Sequence, residues 1–172
     1  NLYPEIRSSI TGYFSRHEIQ GHDGQNGNPS HHLCDSQVCC ANFLFPFADK
    51  PEALATLLRP IFPTLKEMLP IEDGQYVAFE WIGQQNYLGE KVSQSGKRTR
   101  GANFTSTDAA VRFKRQNGRL QICLIEWKYT EAYSSTWLKF SAHGTDRTKI
   151  YQPLYDAPDC PLDKTLIPQF GS

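Results

Sequence analysis

Nowhere in the 172 residues is there a run approaching the roughly 20 apolar residues that a bilayer crossing requires, so no membrane-spanning helix is expected. No basic start leads into an apolar stretch, so no secretory signal is expected either. Charge of one sign is lacking too: 18 Lys and Arg balance 18 Asp and Glu, and a net charge of zero argues against indiscriminate coating of nucleic acid. The five cysteines, Cys34, Cys39, Cys40, Cys123 and Cys160, contain no CxxC pair. Their odd number speaks against a disulfide framework and for a reducing, cytoplasmic setting, with each thiol expected as a small buried hydrophobe. His17, His22, His31, His32 and Cys34 match no standard zinc spacing. A glycine-rich phosphate loop and GxSxG or GDSGG elements are absent, which leaves serine-based hydrolysis without support. No internal repeat is seen. The chain opens on Asn1 rather than Met, and is expected to be an incomplete piece.

What is present suits one domain with one sizeable core, residues 33–160, and a peripheral, partly flexible segment, residues 1–32. Leu2 to Ile19 is mixed, with room for one short helix. Gly21 to Ser30 is rich in turn residues and reads as a loop. Asp35 or Ser36 caps a helix running through Val38 and Leu44, and Asp49 before Pro51 caps another through Leu54, Leu57 and Leu58. Leu65 to Leu69 reads as a further helical turn. The period then changes. Gln75 to Ile82, Thr105 to Lys114 and Leu120 to Tyr129 read as strands, the last two joined at Gln116-Asn117-Gly118. Thr136 to Phe140 forms a further segment, and Thr148 to Tyr155 a helix. Helices first and strands later imply an α/β layer fold, a mixed β-sheet flanked by helices.

The hairpin carries the chemistry. With a three-residue loop and Gly118 in the left-handed conformation, Arg115 faces Arg119 and Asp108 lands opposite Glu126. Lys128 shares the Glu126 face, because strand side chains alternate. Ala109, Val111, Ile125 and Trp127 point the other way, towards a core. A two-residue turn would send Asp108 to the opposite face. Two opposed carboxylates repel; a shared proton, Lys128 or a divalent cation offsets this. Mg²⁺ or Mn²⁺ suits an oxygen shell of this kind, polarising a phosphate and lowering the pKa of a bound water, while Lys128 orients the water or stabilises developing charge. The plain alternative is a hairpin with a surface Glu126–Lys128 ion pair. Nearby, Lys91, Lys97, Arg98, Arg100, Arg112, Lys114, Arg115 and Arg119 crowd together with Asp108 the only acid among them, a basic surface suited to a phosphodiester backbone. Lys97, Arg98 and Arg100 are the expected nucleic-acid contacts.

Asp108 followed by Glu126-Trp127-Lys128 resembles the signature of the PD-(D/E)xK nuclease superfamily. The wording YLGE, GANFTSTDAAV, LIEWKYTEAY and YQPLYD resembles a bacterial family of restriction-endonuclease-like proteins, from about Leu33 to Tyr155. The resemblance implies a restriction-endonuclease-like core and Mg²⁺- or Mn²⁺-dependent cleavage of DNA. It makes Asp108 and Glu126 metal ligands and Lys128 the catalytic lysine. Thr107 stands where the superfamily name has Pro. The superfamily often adds an acidic residue upstream, for which Glu80 and Glu90 are the candidates. Gln152 and Tyr155 look like the glutamine and tyrosine of some exonuclease-like branches, one helical turn apart and placed to position DNA or water; the alternative is a helix packing its tyrosine into the core. Glu131 is expected to pair with a basic neighbour or hold a second metal. A homodimer would match the two strands of a duplex. The competing functions are a nucleic-acid-binding module that keeps this fold without cleavage, and a partner-binding protein in which the hairpin charges are incidental.

Overall fold

The computed structural model describes residues 2–21, 29–30, 32, 34–90, 92, 96–101, 104–129, 139–140, 144 and 146–160. The chain divides into two compact units, Asn1–Ile82 with Lys97–Glu131, and Gly83–Gly96 with Ala132–Ser172. The segment Thr136 to Leu138, most of the Gly21–Ser30 loop, and Lys91, Glu131, His22 and His31 lie outside the described residues.

The first unit holds helices α1 (Pro4–Arg16), α2 (Ser36–Leu44) and α3 (Pro51–Leu58), and strands β1 (Leu65–Leu69), β2 (Val77–Trp81), β3 (Thr107–Arg115) and β4 (Leu120–Ile125). Helix α1 is not peripheral. Ile6, Ile10, Tyr13 and Phe14 repeat at helical spacing and are all buried, with Ile10 and Tyr13 at zero exposure. Helix α2 starts where expected: the Asp35 carboxylate accepts the Val38 N–H, satisfying one of the orphan donors of the first turn. Helix α3 starts one residue later than expected. Its N-cap is Lys50 rather than Asp49, and Pro51 at the first helical position supplies the start without a side-chain cap.

Strand β3 is the spine of the sheet. On one side it pairs with β4; on the other, β2 pairs with its first half and β1 with its second. Every one of these ladders is antiparallel, which corrects the expectation of a mixed sheet. Parallel neighbours need a crossover connection, usually helical, and the described residues between these strands contain no helix. The result is a four-stranded antiparallel sheet flanked by helices, an α/β fold of the restriction-endonuclease-like kind. Leu65–Leu69 is a strand, not a helical turn; its ladder shifts by one between Leu65 and Glu67. Val77, Phe79, Ala109, Val111 and Phe113 point into the core against the helices. The thiols correct another expectation: Cys40 alone is buried, Cys34 is exposed, and Cys39, Cys123 and Cys160 are intermediate, all five being free.

In the second unit, α4 (Thr148–Asp156) covers the expected helix and carries Pro153 inside it. Among the described residues no helix is long and apolar enough to cross a membrane.

Candidate active site

The β3–β4 hairpin takes the expected register. Ala109 pairs with Ile125, Val111 with Cys123 and Lys114 with Leu120. The turn closes through Arg115 N–H to Arg119 O at 2.8 Å and Gly118 N–H to Arg115 O at 2.9 Å, with Gly118 at φ 82°. One step beyond the last pair, this register sets Asp108 opposite Glu126. The ladder does not reach them: β4 ends at Ile125, short of the expected Tyr129. The cause is local. The Trp127 N–H donates to Asp108 Oδ2 at 2.5 Å, and the Thr107 hydroxyl donates to Ile125 O at 2.8 Å. Side chains take over the hydrogen bonding, and the two strands part at the carboxylate end.

Alternation nevertheless continues through Lys128. Trp127 turns inward, its ring 5.1 Å from that of Phe43 on α2, while Glu126 and Lys128 are exposed together. Lys128 Nζ lies 2.6 Å from Glu126 Oε1, the side chains 49% and 60% exposed. An ion pair so exposed adds little stability. Asp108 is half-buried, and its carboxyl is held above the usual range. Burial is the main cause; the Trp127 N–H opposes it, and the charges of Glu126 and Glu80 add to it.

Glu80 belongs to this carboxylate row. On β2 the pairs Phe79–Ala109 and Trp81–Thr107 bracket it; the ladder skips Glu80 itself, but its charge acts on Asp108 from the strand on the other side of β3 from β4. It is buried, at 7% exposure, and sits at φ 47°, left-handed for a residue with a Cβ. Gln37 Nε2 donates to its Oε1 at 2.8 Å, and the Ser106 hydroxyl to its Oε2 at 2.5 Å. Gln37 and Ser106 are site residues that the sequence did not single out. Both are ordinary polar types, and only the fold brings them to Glu80. Glu90 is placed differently: it lies in the second unit, in a loop whose backbone is clasped by the Asn86 side chain.

Gln152 lies on α4 in the second unit, where its amide donates to both Asp156 carboxylate oxygens at 3.1 Å. Tyr155 is buried at 8% exposure, as a packing tyrosine would be. Among the three expected nucleic-acid contacts, Lys97 is 58% exposed and ion-paired to Glu18. Arg98 reaches the Ile82 carbonyl at 3.5 Å. Arg100 requires a correction. It is buried at 8% exposure, its guanidinium engaged by Glu72, Tyr13 and the Phe79 and Glu80 carbonyls, so it does not face a ligand in solvent.

Among the described residues, no three His, Cys, Asp or Glu side chains converge into a ready-made metal cage. That arrangement does not suit zinc, which wants four protein ligands in structural sites and three in catalytic ones. It does suit Mg²⁺, which keeps several waters and takes one or two carboxylates. Asp108, whose pKa is raised chiefly by burial and further by neighbouring carboxylates, is a group that a divalent cation would stabilise in its charged form.

An antiparallel sheet backed by helices, with acidic residues where its central hairpin opens, is the plan of a restriction-endonuclease-like protein. The chain belongs to the family described as Restriction Endonuclease associating with ARP, which matches it over residues 1–169. No curated protein and no solved structure matches it.

Proposed function

We propose that this protein hydrolyses DNA phosphodiester bonds with the help of Mg²⁺ or Mn²⁺, as an endonuclease of the PD-(D/E)xK type. The observation that carries this reading is the grouping of Glu80 on β2, Asp108 on β3 and Glu126 just past the end of β4, at the point where β4 parts from β3. Asp108 and Glu126 would hold the cation, and Glu80, rather than Glu90, is the upstream acid. A metal bound there would supply polarisation of a phosphate oxygen and a more acidic water. Lys128, exposed beside Glu126, orients that water and meets charge developing on the phosphorane. Glu80, held by Gln37 and Ser106, would add a third carboxylate beside the cation position. The five free thiols fit a reducing, cytoplasmic setting. A duplex has two strands to cut, so the reading extends to a dimer on DNA.

One observation favours a second reading, a DNA-binding module without cleavage: Asp108 is already bonded to Trp127 N–H and Glu126 to Lys128. Incubating the purified protein with supercoiled plasmid separates the two. Nicking or linearisation with Mg²⁺ or Mn²⁺, abolished by chelator and by Asp108→Ala, is the expected result. Retardation of the plasmid without any cut, in either metal, supports the binding module instead.

A further inference from the structure

A glutamate at φ 47° within a strand is costly, of order 1–3 kcal/mol for a residue in a sparsely populated region, and persists only where its surroundings impose it. At Glu80 those surroundings are one guanidinium. Arg100 Nη2 donates to Phe79 O at 2.5 Å and Nε to Glu80 O at 2.9 Å, so the carbonyls on both sides of the strained backbone are caught by the same side chain. The guanidinium is itself fixed from behind. Glu72 receives Nη1 and Nη2 on its two carboxylate oxygens, each at 3.0 Å. The Tyr13 hydroxyl accepts from Arg100 Nη2 at 3.3 Å and from the Phe79 N–H at 3.1 Å, and donates to Glu72. Tyr13 has zero exposure, and burial together with the Glu72 hydrogen bond pushes its phenol pKa well up, so the hydroxyl stays neutral. Downstream, Glu80's carboxylate ends on Gln37 and on Ser106, two residues before Asp108.

We propose that Arg100 is a positioning residue of the candidate metal site. Held by Glu72 and Tyr13, it fixes the Phe79–Glu80 backbone and so sets the Glu80 carboxylate beside the Asp108 end of the sheet. The inference rests on the metal-site reading above and adds to it a support that runs from α1 through the Glu72–Gln75 turn to β2. Lysine in place of Arg100 keeps a cation for Glu72 but lacks the fork that holds two carbonyls and a carboxylate at once. A purely structural ion pair would tolerate that change at the site; a positioning role would not.

The test is calorimetric titration of Mn²⁺ into the full chain, without DNA, for the parent, Arg100→Lys, Glu80→Gln, the double variant and Asp108→Asn. Arg100→Lys is expected to weaken Mn²⁺ binding on the order of tenfold, as loss of outer-shell support does. Glu80→Gln should do the same, and the double variant no more than either alone, since both act through one carboxylate. Parental Mn²⁺ affinity in a folded Arg100→Lys protein, with Asp108→Asn impaired, overturns the positioning role and leaves the metal reading standing. Unaltered affinity in Asp108→Asn overturns both. Should Arg100→Lys fail to fold, Tyr13→Phe keeps the core ring and removes only the hydroxyl between Phe79, Arg100 and Glu72. It is expected to shift Mn²⁺ affinity in the same direction by a smaller factor, and an unchanged value counts against the proposal.

Discussion

Lys128 and Asp108 separate by role as single residues. An ammonium beside a water matters most as charge develops, so Lys128→Ala should leave DNA affinity nearly intact and cut single-turnover cleavage on the order of 10²-fold or more. A carboxylate holds the ion in every state, so Asp108→Ala should weaken Mn²⁺ binding as well as the rate, with partial rescue by added metal. Cleavage by Lys128→Ala at the parental rate would reduce Lys128 to Glu126's surface partner. Asp108 also carries a pH signature. Its pKa is raised by burial, so in the folded protein it takes a proton that the unfolded chain, at about 3.9, has already lost. A group raised in the fold contributes its full stability below the unfolded value and loses it as pH rises through the folded one. Metal-free Asp108→Asn should therefore be more stable than the parent at pH 7, by no more than about 1 kcal/mol because water screens a half-exposed group. The difference should vanish near pH 3. Thermal melts in chelator at both pH values measure it, and an equal difference at both would show that the asparagine acts through packing instead.

Two glycines show how the elements are held. Gly118 sits at φ 82° in the hairpin turn, and a Cβ there would meet nothing within 4 Å. Gly101 sits at φ 71°, and a Cβ would lie 2.9 Å from the Gln20 carbonyl, a backbone atom that cannot swing aside. Gly118→Ala should cost only the left-handed strain, about 1–2 kcal/mol, and Gly118→Asn less. Gly101→Ala should cost clearly more, because strain and collision add. Urea unfolding of the three variants measures the order, and a reversal would show that the segment after Arg100 shifts freely. The hairpin was legible in the sequence because Gln116-Asn117-Gly118 marks a turn; its register was not fixed there, and followed only from supposing the three-residue loop that sets Asp108 opposite Glu126. Strand β1 was not legible. The ladder slips between Leu65 and Glu67, so its buried residues, Leu65 and Met68, stand three apart and imitate a helical period. Arg100 misled for a similar reason. In the chain it belongs to a basic run, and nothing local reveals that Glu72, 28 residues earlier, takes it into the interior. Glu80 was visible as a candidate, but its left-handed backbone and its Gln37 and Ser106 partners depend on contacts far apart in sequence.

At the scale of the whole molecule the charges cancel, so any affinity for DNA must come from local cations. Eight basic residues fall between Lys91 and Arg119. Among those described, Arg100 is buried on Glu72, Lys97 is paired with Glu18 and Lys114 with Glu67. Among the described residues of the run, Arg112, Arg115 and Arg119 make no ion pair and are the cations expected to meet phosphates. Arg112 and Arg115 are tied only through uncharged oxygens, the Pro70 carbonyl and the Thr64 hydroxyl, and keep their charge for a ligand. Three phosphate contacts give a slope of log K against log salt of about −3, since each released counterion contributes about −0.9. Binding of a catalytically silent variant to duplex DNA, followed by fluorescence anisotropy between 50 and 200 mM salt, should give a slope near this value. Lys97→Ala alone should scarcely alter it, because Glu18 already neutralises that lysine. Arg112→Ala and Arg115→Ala together should lower it by about two. A slope of −6 or steeper would mean that the phosphate backbone runs along cations outside this segment, and the basic run would lose its place as the DNA-facing surface.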